Sequence, residues 1–410
     1  MCAMESLGRD FNRVWSAGLI TNLADGILKL AAPLLAVKLT DDPVLISLLS
    51  ALSLLPWLFF AIPIGAFVDR VDKARALIGG NIVRSIIAIV LSYAIYSSQI
   101  TIWLLLAAIF LIGICEVLVD TTSQSAIPHL IERSQLEKGN SRLQISEVIV
   151  AQFVGTPLSG FLYAIAIGLP FVFSGAGFVV AALIIAIIPF GTSLKPDPAS
   201  ASERTKLKEQ IRFGLSYMYS DKRIFHIVTI TTAIGFFYSF SISIAPLFII
   251  KELGVEPRYF GLLFAVQGVG ALVGSMVAPQ ASQIFGRGRA LALNLTLASV
   301  PVFLTGLVPN VWFYLPLSII IGFTISIWNI LLMSLYQSLI PRELFGRIHG
   351  ARRTIVWGLM PLGSIVGGFV AKGGLRLPFL IGGALASIVV AFSYRRIVAI
   401  GDESARVNQD

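Results

Sequence analysis

Four acidic residues interrupt stretches that are otherwise apolar: Asp25 in TNLADGILKL, Glu116 and Asp120 in GICEVLVD, and Glu147 in ISEVIVAQF. Three basic residues accompany them: Lys29 four places after Asp25, Arg84 in NIVRSIIAIV, and Arg142 five before Glu147. A charge at bilayer depth costs about 2.5 kcal/mol or more, so each acid must be paired, protonated or in contact with water. Asp25 and Lys29 share one helix face and are close enough to pair. Glu116 and Asp120 share a face in the same way, and two carboxylates held so close bind protons in separate steps, one at raised affinity. The chemistry indicated is reversible protonation, with Asp25, Asp120 and Glu116 as candidates in that order. A salt bridge between Asp25 and Lys29 that only tightens the helices is the alternative. Glu147 is a fourth candidate, with a structural ion pair to Arg142 or Arg84 as its simpler reading. Arg84 is a partner for any one of the acids.

These charges matter because so little else is charged. The chain has 410 residues, 56% hydrophobic and 13% charged, against about 25% charged in an ordinary soluble domain. The apolar residues fall in runs of about 20, the length that crosses about 30 Å of hydrocarbon. The runs are continuous, so they predict helices and not the alternating strands of a membrane barrel. Twelve spans are predicted: 13–36, 44–67, 77–97, 100–127, 143–165, 169–190, 224–250, 258–280, 290–308, 311–338, 350–371 and 377–394. The first reads as a retained span, not a cleaved signal. Cys2 and Cys115 are too few for a disulfide framework.

The net charge of +9 sits in short loops, which speaks for membrane topology and against a nucleic-acid-binding face. Arg9, Arg13, Arg133, Lys138, Arg287, Arg289, Arg395 and Arg396 all fall on one side, which places both termini in the cytoplasm. The linker GTSLKPDPASASERTKLKEQ near mid-chain divides residues 1–190 from 223–410, with 191–222 between them. Its second half is either an amphipathic surface helix or a plain tether. QSAIP at Gln124 recurs as QSLIP at Gln337, 213 residues on, and RAL at Arg75 recurs at Arg289. Two echoes at nearly one offset predict two parallel six-helix halves.

Between the second and third spans lies GAFVDRVDKAR, a compact charged knot, with a weaker copy QASQIFGRGRA later. With twelve spans in two halves, this resembles the major facilitator superfamily. Its signature there is carried by Gly65, Asp69, Arg70, Lys73 and a displaced Arg75, with Asp72 where glycine is expected and Gln283 replacing the acid in the second copy. The segment QSAIPHLIERSQLEKGNSRLQ and GTPLSG resemble the drug:proton antiporter-3 group, which holds macrolide-efflux-like and enterobactin-exporter-like proteins. GTPLSG is similar to the antiporter Gly-Pro-x-x-Gly signature through Gly155, Pro157 and Gly160, with Thr156 in place of its first glycine. The resemblance implies the all-α major facilitator fold and a cytoplasmic gate at the knot. Topology alone explains Arg70, Lys73 and Arg75 but not Asp69, which can accept backbone N–H bonds or pair with a neighbouring arginine.

Phe236, Phe237, Tyr238 and Phe240 on the seventh span, with Trp328 and Asn329 on the tenth, are candidates for a broad apolar cavity suited to amphipathic molecules. GxxxG at Gly270–Gly274 and the GGN at Gly79 allow close helix packing. No GxxxxGK[ST] or G-x-S-x-G occurs, and His129, His226 and His349 are scattered, so neither ATP drive, hydrolysis nor a metal site is encoded. The sequence therefore reads as a bacterial inner-membrane exporter of hydrophobic or amphipathic compounds. It would have no cofactor, be driven by a transmembrane proton gradient, touch only solute, protons and lipid, and work as a monomer. Export of one metabolite such as a siderophore or lysolipid, or facilitated uptake, are the alternatives.

Overall fold

The computed structural model describes residues 8–132, 135, 139, 142–143, 146–187, 216–340 and 345–406. In hydrocarbon every backbone N–H and C=O must find its partner within the segment, and the apolar runs accordingly form helices. In the first half these are α1 (Arg9–Leu39), α2 (Pro43–Val68), α3 (Lys73–Tyr96) and α4 (Ile102–Leu130). A π-helical stretch, π1 (Ser146–Gly155), then runs directly into α5 (Thr156–Ile165), and α6 (Leu169–Ala186) follows. The second half holds α7 (Lys222–Lys251), α8 (Phe260–Phe285), α9 (Arg287–Thr305), α10 (Val311–Leu339), α11 (Phe345–Ala371) and α12 (Leu377–Arg406). Among the described residues ten helices are long and apolar enough to cross a membrane, and the shorter apolar stretches Val150–Ile165 and Ile355–Ala371 complete the expected twelve.

Polar residues close the helix starts where the chain meets water. Thr101 accepts from Leu104 N (3.2 Å), Asp221 from Arg223 N (2.9 Å), and Asn310 from Trp312 N (3.0 Å). Most of the linker read as tether or surface helix lies outside the described residues. The fifth span departs from the plain α-helix expected. Its π-wound part coincides with the closest approach to α1, where a Cβ on Gly26 would overlap the Ala151 carbonyl and one on Gly155 would sit 2.8 Å from the Leu23 carbonyl. Thr156 Oγ1 donates to that same Ala151 carbonyl at 3.2 Å, a five-residue step that fits the wider winding.

The chain divides into two compact units, one of Met1–Leu39, Leu55–Arg204 and Pro257–Gly261, the other of Thr40–Leu54, Thr205–Glu256 and Leu262–Asp410. Inside the first, α1 packs on α5 and α6, and α3 packs on α4 and α6. Inside the second, α7 packs on α11 and α12, and α9 packs on α10 and α12. Adding six to each helix of the first list generates the second, so the two halves repeat one internal plan. Small residues and hydroxyls let the backbones approach. Ser174 Oγ donates to Ala24 O (3.0 Å) between α6 and α1, and Ser241 Oγ to Pro378 O (3.3 Å) between α7 and α12. Gly270 and Gly274 meet the Ile319 and Phe323 carbonyls of α10 so closely that neither has room for a Cβ.

The sequence echoes fall on matching structure. In QSAI and QSLI alike the glutamine is exposed, the serine half-buried and the next two residues buried. Both serines donate to the carbonyl three residues back, Ser125 to Thr122 (3.0 Å) and Ser338 to Leu335 (2.8 Å). The helices around them end differently, since α4 continues through Pro128 to Leu130 while α10 stops at Leu339.

Candidate functional site

The intramembrane charges converge in the first unit. Asp25, 5% exposed, turns inward from α1 to the guanidinium of Arg84 on α3, which has no exposed surface. The Arg84 Cζ also lies 4.1 Å from the ring centroid of Phe178 on α6. One turn along α1, Lys29 Nζ reaches Glu116 Oε1 on α4 at 3.5 Å, with side-chain exposures of 61% and 18%. The spacing of Asp25 and Lys29 allows a pair along one helix, but the structure pairs each across helices. Helix geometry is the reason: α3 and α4 bring partners within reach, whereas a pair along α1 would leave Arg84 buried and uncompensated.

Asp120 follows Glu116 one turn along α4. Asp25 with Arg84 and Lys29 with Glu116 thus form one cluster on α1, α3 and α4, with Asp120 beside it. The exposed ammonium of Lys29, in the middle of an apolar helix, requires contact with water there. The cluster consequently has a dry end, Asp25 with Arg84, and a wet end, Lys29 with Glu116. Arg142 turns elsewhere: its Nη1 donates to Asn12 Oδ1 (3.2 Å), and its guanidinium carbon lies 5.3 Å from the Trp15 ring. The Glu147 side chain lies outside the described residues. Phe178 was not legible as a member of the cluster, because a lone aromatic in an apolar run carries no spacing signal.

At the charged knot, Asp69 follows the end of α2 and is exposed, its backbone N–H bonded to Gly65 O (3.2 Å). Arg70 and Arg75 are exposed as well. The cap at the start of α3 is Asp72, whose carboxylate accepts from Arg75 N at 3.1 Å. The residue that departs from the family pattern is therefore the one that starts α3. Lys73 is only 3% exposed, its stem covered in the first turn of α3. In the second copy α9 starts at Gly286 instead, at φ +77°, a backbone conformation that favours glycine. In the antiporter-like motif, Cβ atoms on Gly155 and Gly160 would press on the backbones of Gly26 and Gly261, and Pro157 O lies 2.7 Å from the Cβ position of Gly261.

The six residues read as one cavity lining separate. Phe236 and Phe237 line a cavity of about 360 Å³ between α7 and α11 in the second unit. Phe240 is 4% exposed and packs edge-on against both, at 5.3 and 5.8 Å. Tyr238 is half-buried, Trp328 packs on the hydrophobic core, and Asn329 is exposed. Successive helical residues point about 100° apart, so four neighbours cannot line one wall. Arg352 over the ring of Tyr336 (4.5 Å) is a second buried polar contact between α10 and α11 that the sequence did not signal. Among the described residues no group of three His, Cys, Asp or Glu could hold a metal ion.

Residues 7–409 match the family described as transmembrane secretion effector, MFS_3. The chain belongs to that family. It is 21% identical over 379 residues to macrolide efflux protein A of Streptococcus pyogenes, covering 92% of this chain and 93% of that one. Its fold is similar to the nucleoside transporter NupG, at TM-score 0.71 and 12% identity over 95% and 99% of the two chains. It is also similar to a D-xylose–proton symporter, at TM-score 0.66 and 15% identity over 93% and 96%. This member of the major facilitator superfamily is thus a multi-pass transporter of the bacterial inner membrane, a secondary-active carrier of a small solute and not an enzyme.

Proposed function

We propose that this MFS_3 protein exports hydrophobic or amphipathic compounds in exchange for protons. The observation that carries the reading is the pairing of Asp25 with Arg84 and of Lys29 with Glu116, with Asp120 one turn further along α4, divided into a dry and a wet end. Protonation of one α4 carboxylate lowers the negative charge of the group by one. The wet end is where that proton enters, so Glu116 and Asp120 exchange it, and Asp25 holds Arg84 in place. Protonation weakens the hold of the α4 carboxylates on Lys29 and Arg84, and α1 can then shift against α4. The similarity to a macrolide efflux protein supports an exported amphiphile, while Asp69 on the exposed knot serves the cytoplasmic gate.

Proteoliposomes with an imposed pH gradient and a panel containing a macrolide test this directly. Wild type should move one panel compound against its gradient only when the proton gradient is present. Glu116→Gln or Asp120→Asn should abolish that accumulation while leaving binding within a few-fold. Accumulation in the direction of proton flow would convert the reading to a symporter, and accumulation unaffected in both variants would remove the coupling assignment.

A further inference from the structure

The cavity between α7 and α11 has a composition that the transport reading does not use. Phe225, Thr229, Thr232 and Phe236 form one stripe of α7, faced by Ile355 and Leu359 of α11. The two threonines do not make it polar. Thr229 Oγ1 donates to Phe225 O (2.8 Å) and Thr232 Oγ1 to Val228 O (2.7 Å), which turns their methyl groups to the groove. From Phe225 to Phe237 the wall runs about 18 Å at 1.5 Å per residue, close to the ~15 Å of hydrocarbon in one leaflet. Its volume of about 360 Å³ lies within the range of small-molecule sites.

Charge is confined to the mouth. Lys222 stands three residues before Phe225 and seven before Thr229, on the same stripe, at the cytoplasmic start of α7, and is exposed. The neighbouring Arg223 is engaged by Asp221 at 2.9 Å, and among the described residues no carboxylate pairs with Lys222. Tyr219, 67% exposed, stacks at 5.4 Å on Phe225 at the same level, where aromatic residues meet the membrane interface. A wall one leaflet long, without a polar group to satisfy and with the exposed Lys222 beside the Asp221–Arg223 pair at its water end, matches a chain attached to an anionic head.

We infer that this groove binds one acyl chain of an anionic phospholipid of the cytoplasmic leaflet, with the lipid phosphate at Lys222. The site does not depend on which solute is carried or in which direction. Native mass spectrometry of the full chain, titrated with phosphatidylglycerol or phosphatidylcholine of identical acyl chains, tests it. Wild type should bind one phosphatidylglycerol saturably, about fivefold more tightly than phosphatidylcholine, the effect of one lysine near an anionic lipid. Lys222→Gln should remove that preference and leave phosphatidylcholine binding unchanged. Ala233→Trp should block both lipids, and Thr229→Trp, filling the groove from an exposed position, should do the same if Ala233→Trp does not fold. Equal binding of the two lipids by wild type overturns the inference. So does unchanged binding in a folded tryptophan variant, or displacement of the lipid by glycerol phosphate alone, which would mark a headgroup site without a chain. Displacement by detergent or by a transported amphiphile, without headgroup preference, would assign the groove to those occupants.

Discussion

Arg84 has no surface open to solvent and is held between Asp25 and the face of Phe178. An ion pair this dry adds little net stability, since desolvation offsets most of the attraction, but removing one partner strands the other. Asp25→Asn and Arg84→Gln should therefore each destabilise the protein by about 3–5 kcal/mol. The double variant should recover a substantial part of that loss, because neither side is left charged. Thermal unfolding in detergent checks this, and losses that simply add would show that the two residues do not act as a pair. Lys29 and Glu116 behave differently, being partly open to water. Lys29→Gln should change the thermal midpoint little and shift the pH dependence of transport, read as initial rates across pH 5 to 8.

Helices depend on their ends and on close crossings. Asp221 caps α7 through Arg223 N and Ile224 N. Burial pushes its carboxyl up, yet the hydrogen bonds and charge of Arg223 outweigh that and hold it below the usual carboxylate range. A folded pKa below the unfolded one gives stability that is present above the unfolded value and lost as pH falls through the folded value. Asp221→Asn keeps the cap but removes the charge. The thermal-midpoint gap between wild type and this variant should be open at pH 7 and close below the carboxylate range, which thermal scans from pH 7 to 3 would measure. Crossings are stricter. Gly270→Leu would drive a side chain into the Ile319 carbonyl, so α8 and α10 must separate, and the folded yield after solubilisation should fall severalfold.

For the molecule as a whole, the two halves share one internal plan but not one charge pattern. Among the described residues this cluster lies in the first unit, while the equivalent helix α9 carries Leu297 and Ala298 near the place of Arg84. The charged knot belongs to this scale as well. Asp69→Asn should slow transport without moving the thermal midpoint, since its side chain is exposed. Lys73→Gln should lower the midpoint, because its stem is buried in the first turn of α3. Parallel measurement of transport rate and thermal midpoint separates the two, and equal transport by wild type and Asp69→Asn would remove the gate from this loop.

The sequence by itself determined the solvent of this protein, its twelve spans and the repeat. All of these follow from local composition: run length and short echoes need no long-range contact to be read. It also marked Asp25, Glu116, Asp120 and Arg84 as costly, because charge in hydrocarbon is costly wherever it sits. Only the tertiary structure decided who faces whom. Asp25 belongs to Arg84 and Lys29 to Glu116 because packing of α1, α3 and α4 sets those distances, which no spacing along one helix encodes. The same holds for Asp72 capping α3, and for the aromatic run dividing between core and groove. Helical rotation disperses neighbours in sequence, and the fold then chooses which of them meet.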